Sequence, residues 1–384
     1  MSRKRPNNDG SIGRWRDRWR GQYTDPITHK ERAVYGKTFA ECKAKLDAVL
    51  EKIRAGAFVE PEKVTVAAWL EEWFDTFYRR TVKPSTAGTT RSNLKRIKAA
   101  LGDIRLQKLG AEQIQRFVNA CLAEGLQVST VTRYLKVLEQ AMNQARDLGR
   151  ISRDPMKGVK LPTMNKPDIP FLTRAEQEAF LPVIPSTTGG RALRFLMGTG
   201  LRVSELCGLQ WRDVREDGLR IERNRITYKD LEEDGYTSED VRPKTDAGKR
   251  IIPLTPTLRA ILEEQRMAQL RERLRAGSAW DGAEAGRGKA YIFANSLGNP
   301  ADRHNLNRVF HRLLDKAELP RRGVHALRHT FATNWVQTSP DIVALARILG
   351  HTDPAFTYKT YCHAEARSVV QGMGAVEGFI RDAK

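Results

Sequence analysis

Cysteine is scarce in this chain. Cys42, Cys121, Cys207 and Cys362 are spread over 384 residues with no CxxC pair, which excludes a disulfide-stapled scaffold and a zinc ribbon and fits a reducing cytoplasm. No apolar run approaches the roughly 20 residues of a membrane-spanning helix. The opening MSRKRPNNDG is charged and has no apolar core behind it, so no secretory signal is expected. Acidic residues are also in short supply. Asp+Glu number 46 against 66 Lys+Arg, a formal net charge of +20. Such a surplus favours a polyanion, bound by phosphate neutralisation with counterion release. No basic amphipathic segment carries the bulky apolar face of a membrane anchor, so the expected partner is nucleic acid.

The length exceeds what one core supports, so two or three domains are expected. Seven basic and two acidic residues occupy the first twenty positions. GSIGRWRDRWRGQYTD reads as two short strands around Arg16-Asp17-Arg18, with Trp15, Trp19 and Tyr23 among the arginines, and ERAVYGKTF reads as a third. A helix follows over TFAECKAKLDAVLEKIRAG, with Phe39, Cys42, Leu46, Leu50 and Ile53 at helical spacing and Gly56 as its stop. A three-stranded sheet backed by a helix can lay a strand face into a DNA groove. Arg14, Arg16, Arg18 and Arg20 are its candidate contacts; a stabilising cap with solvated arginines is the plainer reading.

Residues 63–152 hold four helical stretches with Gly or Pro punctuation, the first with Val66, Trp69, Leu70, Trp73 and Phe77 along one face. Ser129 or Thr130 is a candidate cap for the last. Arg91, Lys95 and Arg133 are candidate phosphate contacts, along with Arg96 and Lys98. A Pro-rich linker, 153–170, leads into a mixed segment, 171–384. There FLTRAEQEAFLPVI, RALRFLMGTG, PTLRAILEEQRMAQLRERLRAG, HNLNRVFHRLLDKAEL, HALRHTFATNWVQ and PDIVALARILG read as helices. LRIERNRITYKD reads as a strand, SEDVRPK and KRIIPL as a hairpin joined by TDAG, and SAWDGAEAGRGKA as a surface loop. The fold class is therefore multidomain, mostly α with α+β parts.

Four clusters in this last segment carry chemistry. In TGLRVSEL, Gly200 ends one helix and Arg202 opens the next, with Glu205 one turn on to orient the guanidinium; alone, the pair would pass for a surface ion pair. The stretch lacks the Gly-Lys-Ser/Thr ending of a phosphate-binding loop. In HALRH, offsets of three and four put His325, Arg328 and His329 on one helical face. Ala326 stands where a zinc protease has its general-base Glu, so the face suits phosphate better than metal. Leu349-Gly350-His351 and TYKTYCH, 357–363, complete the set. Five of the seven histidines fall between His304 and His351. Periodicity does not separate Tyr358 from Tyr361, which lie one turn apart.

Taken together, Arg202 in TGLRVSEL, then HALRH, then LGH, then a tyrosine ten residues after that His resemble the tyrosine recombinase (phage integrase) family. The match is specific, because four separated motifs occur in order. The resemblance implies an N-terminal arm-site-binding domain over 1–60, a helical (SAM-like) core-binding domain over 63–152 and a mixed α/β catalytic domain over 171–384 with a C-terminal tail. It also implies a catalytic lysine on a β-hairpin between the first two motifs. Lys244 fills that place, with Lys249 in the same turn as its rival. Tyr361, one residue before Cys362-His363, matches the family's nucleophile, and Cys362 reads as packing.

The implied chemistry is coherent. A phenolate that attacks phosphorus keeps the phosphate covalently held, and the reverse step reseals DNA without ATP. Arg202 and Arg328 would clamp the charged transition state, and His351 would add a hydrogen bond. His325 would handle the phenolic proton, Lys244 would protonate the departing 5′ oxygen, and His329 would support the arginine or the packing. No cofactor and no metal is implied. The implied partners are double-stranded DNA attachment sites, a homotetramer on that DNA, a host DNA-bending protein and a directionality factor, in the cytoplasm of a bacterial host. A two-metal nuclease would need clustered carboxylates beside the histidines, and no DxD or D…E motif stands there. A non-catalytic DNA-binding regulator would have no use for the third segment's constellation. Within the family, a chromosome-dimer resolvase is the competitor, and the extra N-terminal residues favour a mobile-element integrase.

Overall fold

Alternation along the first strands sets the N-terminal sheet. Strands β1 (Ser11–Trp15), β2 (Arg18–Thr24) and β3 (Glu31–Gly36) pair antiparallel in that order, and Arg16 turns the first hairpin with φ 55°. Gly21 and Tyr23 face helix α1 (Phe39–Arg54), whose Leu46 and Leu50 bury against Tyr23, Ile12 and Val34. Gly36 permits that approach, since a Cβ there would stand 2.5 Å from the Cys42 nitrogen. The opposite face carries Trp15, Arg18, Arg20 and Tyr35 in cross-strand register. The computed structural model of the chain describes residues 10–26, 29–54, 63–163, 169–231, 235–243, 246–280, 290–339 and 341–361. The expected stop at Gly56, the candidate lysine Lys244, most of the Gly/Ala-rich loop (281–289), part of the linker (164–168) and the tail from Cys362 onward lie outside them.

Contacts divide the chain into two compact units: Met1–Lys166 with Tyr228–Gly235, and Pro167–Thr227 with Tyr236–Lys384. In the first, α2 (Val66–Trp73) runs into one turn of π-helix over Phe74–Tyr78 and is followed by α3 (Pro84–Leu101), α4 (Ala111–Ala123) and α5 (Val128–Asp147). Their apolar stripes close on Trp69, whose indole N–H, too costly to bury unpaired, donates to the Ala141 carbonyl at 2.9 Å. Neither Ser129 nor Thr130 caps α5. The cap position is Gln127, and both residues lie inside the first turn, where Thr130 N–H bonds back to the Gln127 carbonyl.

In the second unit, α6 (Arg174–Phe180), α7 (Thr188–Thr199), α9 (Pro256–Ala276) and α10 (Arg303–Lys316) surround a core of Phe180, Phe195, Phe293 and Phe310. Short α8 (Val203–Cys207) follows α7, and α11 (Ala326–Thr338), α12 (Ile342–Leu349) and α13 (Pro354–Tyr361) are the last helices of the described residues. The strand reading needs a correction. LRIERNRITYKD is two strands, β4 (Leu219–Ile221) and β5 (Asn224–Lys229), while β6 (Tyr236–Val241) and β7 (Arg250–Ile252) do not pair with each other. β6 pairs with β5, and β7 with β4. Burial decides it: Ile252 opposes Leu219 and both sit in the core, so β7 is held there.

The architecture is thus multidomain and mostly helical with α+β parts, as expected.

Candidate active site

One glycine places the first motif. Gly200 closes α7 at φ +64°, and a Cβ on it would meet the Phe331 ring at 2.5 Å, so both conformation and space require glycine. The chain then turns straight into α8 with Arg202 at its cap. Glu205 reaches back to the Arg202 N–H at 2.9 Å and to its Nη1 at 3.0 Å. Glu205 is 1% exposed. Burial opposes its charge, but the hydrogen bonds and charge of Arg250, with help from Arg202, hold the carboxyl below its usual range.

Arg328 is the centre of the site. It leaves the first turn of α11 buried, and donates from Nη1 to the Gly200 carbonyl at 2.9 Å and from Nη2 to the Leu349 carbonyl at 2.7 Å. Those acceptors sit at the C-terminal ends of α7 and α12, where carbonyls lack helical partners and the helix dipole is negative. Arg202 Nη2 lies 3.5 Å from the next carbonyl, Gly350. The two guanidinium groups are therefore anchored on consecutive carbonyls. Burial, with the adjacent Arg202 charge, brings Arg328 down to about 10, so it stays cationic at neutral pH.

Arg328 Nη2 also donates to His351 Nε2 at 2.9 Å. A guanidinium has no lone pair to offer, so Nε2 must accept and the ring carries its proton on Nδ1, donated to Thr357 Oγ1 at 2.8 Å. Burial and then the Arg328 charge hold His351 down to about 4. Thr357 is fully buried on α13.

Tyr361, half-buried at the end of α13, packs against Ala332, Leu345 and Leu349. Burial pushes its phenol up, and Arg328 and Arg202 pull it back in part. The imidazole at its hydroxyl is His329, at 2.8 Å from Nδ1. His325, expected from the sequence to handle that proton, instead sets its ring edge-on to His329 with centroids 4.7 Å apart. The His325 ring makes no hydrogen bond to protein among the described residues. Tyr358 is 57% exposed.

Arg202, Glu205, His325, Arg328, His329, His351 and Tyr361 thus come together, while Tyr358 stands aside and Lys244 lies outside the described residues. Arg250 and Thr357 were missed. Arg250 sits forty-five positions from Glu205 in an ordinary basic strand, and Thr357 had only its helical position, one turn before Tyr361, to mark it. Of the proposed DNA contacts, Arg18 and Arg20 share the open sheet face with Trp15, and Arg20 lies 4.8 Å over the Trp15 ring. Arg16 is exposed in the turn, and Arg14 belongs to the helix-side face opposite Trp19. Arg91 is already engaged by Glu71 and stacks on Phe74. Lys95 and Arg133 are exposed, Arg133 with a bond to Thr130 Oγ1. Among the described residues no group of His, Cys, Asp and Glu is arranged to hold a metal ion, and no helix is long and apolar enough to cross a membrane.

The chain resembles known proteins in sequence and in fold. Residues 171–367 match the profile of the "Phage integrase family", and residues 65–122 that of the "Phage integrase, N-terminal SAM-like domain". A tyrosine recombinase XerC-like protein of Caldanaerobacter subterraneus subsp. tengcongensis is 30% identical over 345 residues, 86% of this chain and 87% of that protein. An integrase of Streptomyces ambofaciens is 26% identical, with 99% of each chain covered. Among solved structures, the Tn1549 transposon integrase in complex with a circular intermediate DNA has a TM-score of 0.67 at 23% identity, covering 82% of this chain and 99% of its own. A lambda integrase tetramer bound to a Holliday junction has a TM-score of 0.57 at 18% identity, covering 94% and 96%. The chain belongs to the phage integrase family of tyrosine recombinases. It is a site-specific recombinase that cuts and rejoins DNA strands.

Proposed function

We propose that the chain is the integrase of a phage or other mobile element, with Tyr361 as nucleophile. The anchoring of Arg202 and Arg328 on consecutive carbonyls, beside the half-buried Tyr361 phenol, carries this reading. Both guanidinium forks bracket the scissile phosphate of double-stranded DNA and stabilise the charge that grows on its non-bridging oxygens. Tyr361 attacks phosphorus, gives a 3′-phosphotyrosyl bond and frees a 5′ hydroxyl, which takes its proton from Lys244. The hydroxyl of another strand reverses the step. His351 holds Arg328 in the free enzyme; once the phosphate offsets the Arg328 charge, its Nε2 takes a proton from solvent and donates to the phosphate. His325, whose ring makes no hydrogen bond to protein among the described residues, faces the same phosphate.

Residues 1–60 bind arm-type sites, 63–152 bind the core site, 153–170 link them and 171–384 perform the chemistry, in a homotetramer on attachment-site DNA in the cytoplasm of a bacterial host. A DNA-bending host protein and a directionality factor complete the assembly. The Streptomyces integrase, aligned over 99% of both chains, supports the mobile-element reading. The XerC-like relative supports chromosome-dimer resolution as the second reading. Sequencing the junctions formed in cells expressing the chain separates the two.

For the chemistry, a nicked suicide duplex built from such a junction is the test. Tyr361→Phe is expected to bind it normally and form no covalent adduct, while Tyr358→Phe retains the adduct. The reverse result would move the nucleophile.

A further inference from the structure

The reading above leaves one histidine without a function and one proton without a destination. We infer that His329 is a catalytic residue whose Nδ1 takes the phenolic proton as the Tyr361 oxygen bonds to phosphorus. The inference rests on Tyr361 being the nucleophile and adds to that reading the group that activates it.

Geometry carries it. The 2.8 Å separation between Nδ1 and the phenolic oxygen lies within the range required of a general base. Helical geometry brings His329 there, since it follows Arg328 directly and so shares the rigid first turn of α11 with the phosphate clamp. The edge-on ring of His325 packs against one side of the imidazole, and the Tyr361 ring lies 5.7 Å away, centroid to centroid. The ring is thus held in place before DNA arrives, as a preorganised base must be.

The charges around it give the step its timing. His325 and Arg328 lie beside His329 at the start of its own helix, His351 approaches from the end of α12 and Tyr361 from α13. Burial, then the neighbouring His325 and Arg328, hold His329 down to about 4. In the free enzyme the ring is therefore neutral with a lone pair to offer, and the proton remains on the phenol. A phosphodiester anion bound by Arg328 offsets that charge and raises the proton affinity of the ring. Activation is thereby tied to occupancy, and no idle phenolate is produced without DNA.

The step balances. The phenolic O–H bond breaks and its proton goes to Nδ1, the oxygen–phosphorus bond forms, and the phosphorus–O5′ bond breaks with its electron pair on O5′. The departing O5′ takes up its proton from Lys244; in the reverse direction the incoming 5′ hydroxyl returns that proton as it displaces the phenolic oxygen, which recovers its own proton from His329.

The test is single-turnover adduct formation by the full chain on the suicide duplex, with His329→Gln and His329→Ala compared to the unsubstituted protein. General-base catalysis of this kind is worth about 100-fold or more. Both variants are expected to bind the duplex normally and to lose about that factor at neutral pH. The deficit is expected to narrow as alkaline pH ionises the phenol directly, and added imidazole is expected to restore part of the rate in His329→Ala. Adduct formation within about 3-fold of the unsubstituted protein overturns the assignment, since removing a general base is expected to cost far more. So does a loss that neither imidazole nor alkaline pH relieves, which would mark a packing role. Either result would leave Tyr361 as nucleophile in place, because that reading fails only if Tyr361→Phe still forms the adduct.

Discussion

Arg250 grips Glu205 with both ends of its guanidinium, Nη1 to Oε1 at 3.0 Å and Nη2 to Oε2 at 2.8 Å, and the two side chains are only 6% and 1% exposed. The same carboxylate holds Arg202, so one buried anion orients two cations from different elements. Arg250 Nη1 also donates to the Gly248 carbonyl at 3.1 Å and its Nε to the carbonyl of Ile348. The pair thus joins β7, α8 and the end of α12 beside Arg202 and Arg328.

Breaking a buried ion pair from one side leaves an uncompensated charge, a loss of about 3–5 kcal/mol. Arg250→Ala is expected to fall at the lower end, because Arg202 still faces Glu205. Arg250→Lys is expected to recover little, since a point charge cannot make both contacts. Denaturant-induced unfolding measures the first effect. Adduct formation on the suicide duplex, expected to drop in both variants, reads the loss of Arg202 orientation.

Stability should also depend on mildly acidic pH. Unfolded histidines titrate near 6.5, whereas His329 and His351 are held to about 4 in the folded chain. Between those values the unfolded chain binds more protons than the folded one, so stability falls as pH drops from 6.5 towards 4. Glu205, also depressed, adds its loss only below the usual carboxylate range. Thermal unfolding across this window is expected to show the decline, and His329→Gln to show a shallower one. A flat profile in the unsubstituted protein would contradict the buried, neutral state of both rings.

The N-terminal sheet offers a sharper test than its charge alone. Arg18 and Arg20 lie on the open face with Trp15 and Tyr35, whereas Arg14 lies on the face turned toward α1. Removing a phosphate contact weakens binding across sequences and reduces the salt slope by about 1. Arg20→Ala and Arg18→Ala are expected to do so for arm-type DNA, and Arg14→Ala to leave the slope unchanged, as read by titration at several salt concentrations. Deleting residues 1–60 is expected to impair integration of a multi-site substrate more than cleavage of a short core site.

Much of this molecule was legible because its signals are local. Helical spacing marked α1 through α5, Gly200 marked the end of α7, and the Arg202–Glu205 offset of three predicted their contact. The misreadings were of pairing. β6 and β7 are consecutive strands in the sequence, so a single hairpin was the economical reading, yet β7 pairs with β4 because Ile252 and Leu219 bury together. Ser129 and Thr130 have the right chemistry for a cap, but the chain enters α5 two residues earlier.

By itself the sequence determined the charge that favours DNA, the order of the elements, and the four motifs that supply two arginines, the histidines and a tyrosine. Only the tertiary structure decided which histidine meets the phenol, which tyrosine is turned inward, and which buried arginine shares Glu205. Those contacts join residues thirty-two and forty-five positions apart. Periodicity can assign a side chain to a face of its own helix. It cannot say what another helix will bring to that face, because burial of distant apolar residues sets the partner.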